Sequence, residues 1–270
     1  GYLKELFSNM KREGWTAEYL IRKIDEYVED IIPDTFYNKI KAKKGIIELT
    51  ADGKKEQEKM ARLKAAVQAF PDYQQILKEK QRYDFDDMIN WVINVFETNA
   101  DALANYQELY QFILVDEYQD TSGAQNKLVE LLVSYWQDES PNLFVVGDDD
   151  QSIYRFQGAN MENMRTLAVK YNDLLRVVLT QNYRSVQPIL DSAHALIQNN
   201  TQRLTNEYKD LQKTLTASNP LHKDLKIAPV IRSVSNEFEE NILIAEEIRQ
   251  LIEEGVAPGK IAVIYKEHRK

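Results

Sequence analysis

Apolar residues recur at helical spacing through the first third of the chain and in short unbroken runs after it. Leu20, Ile24, Tyr27, Val28 and Ile31 fall on one helical face, and Pro33, which lacks a backbone donor, is expected to end that run. Lys41 to Lys55 is polar with two glycines and reads as a loop or short turn. Lys55 to Phe70 predicts a second helix stopped by Pro71, and Asp84 to Phe96 a third. Asp84 is a suitable N-cap for that helix. Asp87, at its third position, completes a variant of the capping box. Residues 2 to 110 are thus expected to be mostly helical.

Beyond Tyr110 the pattern changes. Phe112–Val115, Leu143–Val146 and Val177–Leu179 are apolar without alternation, as in parallel strands covered on both faces. Helices are expected over about Ser122–Trp136 and Val186–Asn199. Ile227–Val234 reads as a further strand and Asn236–Glu254 as an amphipathic helix, closed by Gly255 and followed by Pro258. Ile261–Tyr265 reads as the next strand. Strands alternating with helices predict an α/β fold with a parallel sheet.

Composition narrows the class. A chain of 270 residues has room for one or two domains with real cores. No apolar run approaches the roughly 20 residues that span a membrane, and the N-terminus does not read as a signal peptide. The absence of cysteine excludes disulfides and thiolate metal sites and fits a cytoplasmic protein. Its three histidines, His194, His222 and His268, show no ligand spacing.

The net charge of −9 argues against a passive nucleic-acid binder, but the distribution is uneven. Asn38 to Lys64 holds nine Lys or Arg against four Asp or Glu, whereas Pro71 to Asp150 holds four against seventeen. The basic stretch, with Lys39, Lys41, Lys43 and Lys44, is either a solvated surface or an arm that contacts phosphates.

The chemistry concentrates where the strands end. In open α/β sheets, ligands bind beyond the carboxyl ends of the strands. Asp116 and Glu117 follow one apolar run directly, and Asp148, Asp149, Asp150 and Gln151 follow another after Gly147. If the two strands are neighbours, these clusters meet at one edge. Carboxylates gathered there repel unless a cation is present, and Mg²⁺ is typically held by one or two carboxylates plus substrate phosphates. Taken alone, an acid pair at a strand end is equally a solvated helix cap.

The set of motifs is more specific than any member. The chain carries D-E-Y-Q-D-T at 116–121, V-G-D-D-D-Q-S-I-Y-R-F-Q-G-A at 146–159, L-T-Q-N-Y-R-S at 179–185 and I-A-V-I-Y at 261–265. Y-D-F-D-D-M-I at 83–89 precedes them. In order and spacing these resemble the superfamily 1 DNA helicases of the UvrD/Rep/PcrA type, with RecB and AddA as more distant relatives. The resemblance is clear over residues 83 to 270 and rests only on helical character and position over residues 2 to 82. It implies RecA-like parallel-sheet motor domains of the P-loop NTPase fold, incomplete here, with an N-terminal helical insert. Residues 1–82 would be the insert, 83–176 the second part of the first motor domain, and 177–270 the first part of the second.

The resemblance also implies roles. Asp116 would hold Mg²⁺ and Glu117 would be the general base for the water that attacks ATP, bound between the two motor domains. Gln151 would contact the γ-phosphate, where a neutral amide can donate to phosphate and accept from water. Arg184 would be an arginine finger, and Tyr183 would stack on adenine. Tyr154 and Phe156, the latter where the family often has tryptophan, would stack on bases of single-stranded DNA. The basic patch would touch single-stranded or partly duplex DNA. The implied activity is an ATP-dependent DNA helicase or translocase moving 3′ to 5′, with repair or recombination proteins as partners.

The phosphate loop G-x-x-x-x-G-K-[ST] of such motors is absent. Its nearest approach, G-V-A-P-G-K-I at 255–261, has three residues between the glycines, ends in Ile261 and lies between a helix and a strand, the reverse of the required context. The expectation is therefore an internal piece of a longer helicase, inactive alone. The alternative is a degenerate relative that binds DNA or a partner without hydrolysis.

Overall fold

The computed structural model describes residues 1–36, 48–136, 141–152, 161–171, 174–201, 203–208 and 211–265. It is α/β, mostly helical, with two small parallel sheets among the described residues. The chain forms two compact units, Gly1–Val177 with Thr201–Leu211, and Val178–Asn200 with Gln212–Lys270.

The first unit begins with helices. Helix α1 (Tyr2–Glu13) ends where Gly14 adopts φ 66°, which lets Trp15 N–H reach back to Met10 O at 2.8 Å. Thr16 then caps α2 (Ala17–Glu26) through Tyr19 N–H. Phe7, Met10, Ala17, Ile24, Val67 and Phe70 form the core, the last two from α4 (Ala51–Gln68) and α5 (Phe70–Glu79). The Phe7 ring lies 5.4 Å from Phe70 and 4.9 Å from Tyr73.

Both prolines expected to stop helices sit near helix starts. The π turn Tyr27–Ile31, where Ile32 N–H bonds to Tyr27 O, opens the ladder ahead of Pro33. Helix α3 (Ile32–Phe36) therefore carries that proline in its first turn, where its missing N–H costs no internal bond. Pro71 occupies the first turn of α5 for the same reason. Likewise α4 starts at Ala51, before the expected Lys55, because the Thr50 hydroxyl accepts from Gly53 N–H at 3.2 Å.

Helix α6 (Phe85–Thr98) has the expected reciprocal box, with Asp84 accepting from Asp87 N–H and Asp87 from Asp84 N–H, both at 3.0 Å. The same acids receive the buried Lys11 ammonium at 2.9 and 2.8 Å, and Asn90 donates to Lys11 O at 2.8 Å, fastening α1 to α6. Asn99 caps α7 (Ala100–Leu109).

A β–α–β unit follows. Strand β1 (Ile113–Val115), helix α8 (Gly123–Val133) and strand β2 (Leu143–Val145) place the two strands parallel, with Ile113 opposite Leu143 and Val115 opposite Val145. Ser122 and Gln125 form a capping box at the start of α8. The strands are not covered on both faces: Leu114 and Phe144 remain 72% and 62% exposed. The unit continues with α9 (Met161–Lys170) and α11 (Leu204–Glu207).

In the second unit, β3 (Gln181–Asn182) pairs parallel with β4 (Thr216–Ala217), beside α10 (Gln187–Ile197) and before α12 (Glu237–Glu253). Asn236 caps α12, and Gly255 at φ 94° closes its end. The expected strands Val177–Leu179, Ile227–Val234 and Ile261–Tyr265 are not strands. A strand needs a neighbour for its backbone groups, and none pairs with these runs among the described residues. Their side chains are correspondingly open, as at Leu179, Ile231 and Ile264.

Candidate nucleotide and nucleic-acid site

The parallel register brings the two acidic clusters to the same sheet edge. Pairing continues beyond the strands through Val146 N–H to Val115 O at 2.8 Å and Tyr118 N–H to Val146 O at 2.9 Å. Between these bonds the backbone kinks at Glu117, which sits in the left-handed region at φ 50°, ψ 44°. That region costs a residue with a Cβ about 1–3 kcal/mol and persists only where its surroundings enforce it. Here Glu117 N–H donates to Asp116 Oδ1 at 2.9 Å, and the following Tyr118 and Gln119 are buried at 2% and 1% exposure. Burial pushes the Tyr118 hydroxyl up to about 12, with the Glu130 charge adding to it, so it is a neutral anchor that donates to Asn126 Oδ1.

Gln119 connects the clusters. Its Nε2 donates to Glu117 Oε2 at 2.6 Å, and its Oε1 accepts from Asp148 N–H at 3.0 Å. Asp148 in turn accepts from Asp150 N–H at 3.0 Å and, on its other oxygen, from Gln151 Nε2 at 2.7 Å. An unbroken series of hydrogen bonds therefore links Glu117, Gln119, Asp148 and Gln151. Gly147 makes room for it, since a Cβ there would lie 2.8 Å from Gln119 Oε1.

The turn Asp149–Gln151 is held from its other side as well. Arg203 forks onto Asp150, Nε to Oδ1 at 2.7 Å and Nη2 to Oδ2 at 2.8 Å, while Leu204 N–H donates to Asp149 Oδ2 at 2.8 Å. The hydrogen bond to Asp150 raises Arg203 above its ordinary value, so the charge is permanent. Oxygens of Asp148, Asp149 and Asp150 lie within 4.8 Å of one another. These amides and the guanidinium already engage them, and the triplet serves the turn.

Asp116 fits the Mg²⁺ role on donor chemistry. It is an exposed carboxylate at the strand end with Oδ1 turned to Glu117 N–H, beside further oxygen donors and without nitrogen or sulfur ligands in its motif. Glu117 and Gln151 are also exposed. Asp116, Glu117 and Gln151 thus gather at one edge of the first unit.

Tyr183 and Arg184 belong to the second unit, directly after β3. Asn182 Oδ1 accepts from Arg184 N–H at 3.0 Å and Ser185 N–H at 2.8 Å, and Tyr183 OH donates to Gln181 Oε1 at 2.8 Å. Both side chains are exposed. Tyr154, Phe156, Lys39, Lys41, Lys43 and Lys44 lie outside the described residues.

Sequence reasoning passed over Gln119 and Arg203. Gln119 stands inside the motif D-E-Y-Q-D-T, and an amide between a tyrosine and an acid was a usable signal. Arg203 lies in a segment without motif character, and its partner is 53 positions away.

A parallel sheet edge with an Asp-Glu pair on one strand and an acid-glutamine turn on the next makes this an α/β protein with its acidic clusters at the carboxyl ends of its strands. Residues 3–172 match the UvrD/REP helicase N-terminal domain, and residues 177–270 match the UvrD-like helicase C-terminal domain. The chain belongs to the UvrD/REP helicase family.

Over 132 residues (49% of this chain) it is 48% identical to the ATP-dependent DNA helicase PcrA of Leuconostoc citreum. It is 34% identical over 203 residues (75% of this chain) to a putative ATP-dependent DNA helicase, YjcD, of Bacillus subtilis. With PcrA of Staphylococcus aureus it shares 40% over 172 residues (63% of this chain). The matched segments cover 17%, 25% and 23% of those relatives, so the chain spans a quarter or less of their length.

Proposed function

We propose that this chain is the part of an ATP-dependent DNA helicase that carries the hydrolytic base and the phosphate-sensing amide. The whole protein would couple Mg-ATP hydrolysis to 3′-to-5′ movement on single-stranded DNA and to unwinding of adjoining duplex. Its setting would be repair or recombination in the cytoplasm, with proteins of those processes as partners. In this reading residues 1–82 are the helical insert, 83–176 the second part of one RecA-like motor domain and 177–270 the first part of the other. The observation that carries the proposal is the hydrogen-bonded link from Glu117 through Gln119 and Asp148 to Gln151. A binding module has no use for a strained glutamate wired to an exposed amide.

In the proposed reaction a water oxygen attacks the γ-phosphorus in line, and the bond from that phosphorus to the ADP oxygen breaks. Glu117 takes the water's proton, and ADP and phosphate leave. Gln119 keeps the Glu117 carboxylate in one orientation, which general-base catalysis requires. Asp116 would hold the Mg²⁺ that, when bound, neutralises phosphate charge. Gln151 hydrogen-bonds the γ-phosphate, Arg184 meets its developing charge as a planar cation, and Tyr183 stacks on adenine. Tyr154 and Phe156 stack on DNA bases, each worth roughly 1–3 kcal/mol, and Lys39, Lys41, Lys43 and Lys44 contact phosphates. This chain by itself, without the phosphate loop, is expected to hydrolyse no ATP above background.

The test is Glu117→Gln in the full-length protein. ATP binding should persist while DNA-stimulated turnover falls about 10²- to 10⁴-fold, the usual contribution of a general base. A loss smaller than about tenfold would remove Glu117 from that role.

A further inference from the structure

We propose that Arg203 is a positioning residue for Gln151, and that it acts by clamping the turn Asp149–Gln151 through Asp150. The inference rests on the proposed role of Gln151 at the γ-phosphate. Gln151 is exposed, and its own side chain is tied only to Asp148 among the described hydrogen bonds. The turn that presents it is one three-residue 3-10 turn after a three-residue strand, too short to hold its own geometry. Its internal bonds, Gln151 N–H to Asp148 O at 3.0 Å and Ser152 N–H to Asp149 O at 3.3 Å, are those of a single turn.

External ties supply the rigidity. On the strand side, Asp148 N–H is fixed to Gln119. On the far side, Arg203 forks onto both oxygens of Asp150, and the neighbouring Leu204 N–H takes Asp149. The Arg203 side chain is 8% exposed and that of Asp150 15%, so the pair is shielded from water and salt. A planar guanidinium on a carboxylate fixes direction as well as distance, which a lysine cannot reproduce. Leu204 begins the one-turn helix α11, whose Glu207 receives Arg165 from α9 at 2.6 Å. The clamp is therefore anchored to a helix of the same unit. It is also a point of chain connection: residues 201–211 belong to the first unit, while the chain on either side of them belongs to the second.

Two measurements test this. In this chain, Arg203→Ala should raise amide hydrogen exchange of Asp150–Ser152 about tenfold or more, while exchange at Ile113–Val115 stays as it was. In the full-length protein, Arg203→Ala should lower DNA-stimulated kcat about tenfold or more with KM for ATP within about threefold, and Arg203→Lys should fall between it and the parent. Unchanged exchange in the turn overturns the clamp whatever the kinetics. Increased exchange with kcat within about twofold of the parent keeps the clamp and overturns the role given to Gln151. If Arg203→Ala does not fold, Arg203→Lys decides. Faster exchange confined to the turn, at an unchanged melting temperature, supports the proposal, and parent-like exchange overturns it.

Discussion

Gln119 and Glu117 are joined by a 2.6 Å hydrogen bond from a buried amide to an exposed carboxylate. The amide has no freedom to flip, because its oxygen is engaged by Asp148 N–H. A side chain of similar volume without hydrogen-bonding groups separates packing from orientation. Gln119→Met should therefore cost about 1–3 kcal/mol of stability, since Asp148 N–H loses its partner. It should also lower turnover of the full-length protein by about 10-fold or more, because the base is no longer oriented. Urea denaturation and steady-state ATPase assays check the two parts separately. Stability loss with unchanged turnover would make Gln119 purely structural.

Gly147→Ala probes the same link from the opposite side. The added Cβ would sit 2.8 Å from Gln119 Oε1 and 3.4 Å from the backbone nitrogens of Tyr118 and Gln119. The closest atom is the tip of a side chain, so the fold can yield there, and the stability cost should stay near about 1 kcal/mol. Yielding moves Gln119 off Glu117, so turnover should fall in the same direction as for Gln119→Met. The double variant should lose little more than either single one, because both break one link. Fully additive losses would refute the shared cause.

Arg184 owes its local backbone to Asn182, whose side-chain oxygen accepts from Arg184 and Ser185 N–H. Asn182→Ala removes both bonds, while Asn182→Asp keeps an acceptor in place. The expected order of DNA-stimulated turnover is parent, then Asn182→Asp, then Asn182→Ala, with the last reduced about tenfold if Arg184 acts as a finger. Equal turnover in all three would leave Arg184 a surface cation.

The sequence made legible whatever depends on local rules. The Asp84–Asp87 box and the Ser122 start of α8 follow from capping chemistry within four residues. The acid pair and the Gln151 turn share one edge because a β–α–β unit makes its strands parallel. What stayed hidden depends on partners distant in the chain. Val177–Leu179 and Ile261–Tyr265 have strand composition, yet no neighbour pairs with them among the described residues. The second helix does end before Pro71, as expected, but Pro33 and Pro71 also lie in the first turns of the helices that follow, because a proline that ends one helix is equally suited to begin the next. Arg203 and Lys11 find their acids 53 and more than 70 positions away, and no periodicity announces such pairs.

Lys11 gives the fold a pH signature. Burial alone would lower the Lys11 ammonium, but hydrogen bonds to Asp87 and Asp84 outweigh it and raise the group above its ordinary 10.5. Burial likewise would raise Asp84, but Lys11 and Asp87 N–H hold it below its ordinary 3.8. The depressed acid contributes stability that is present above 3.8 and is lost as pH falls through its lower folded value. The raised ammonium contributes stability that is present below 10.5 and is lost as pH rises through its higher folded value. Asp86, pushed up by burial, works in the opposite sense on the acid side and blunts the loss there. Lys11→Met keeps the stem and deletes the charge. It should cost about 2 kcal/mol at neutral pH, less than a fully buried pair because the Asp84 side chain is 46% exposed. Denaturant titrations of parent and variant should differ most between about pH 5 and 9 and converge on both sides. A difference that stays constant through both the acid and the alkaline limbs would show that the Lys11 charge pairs with Asp84 and Asp87 do not set it.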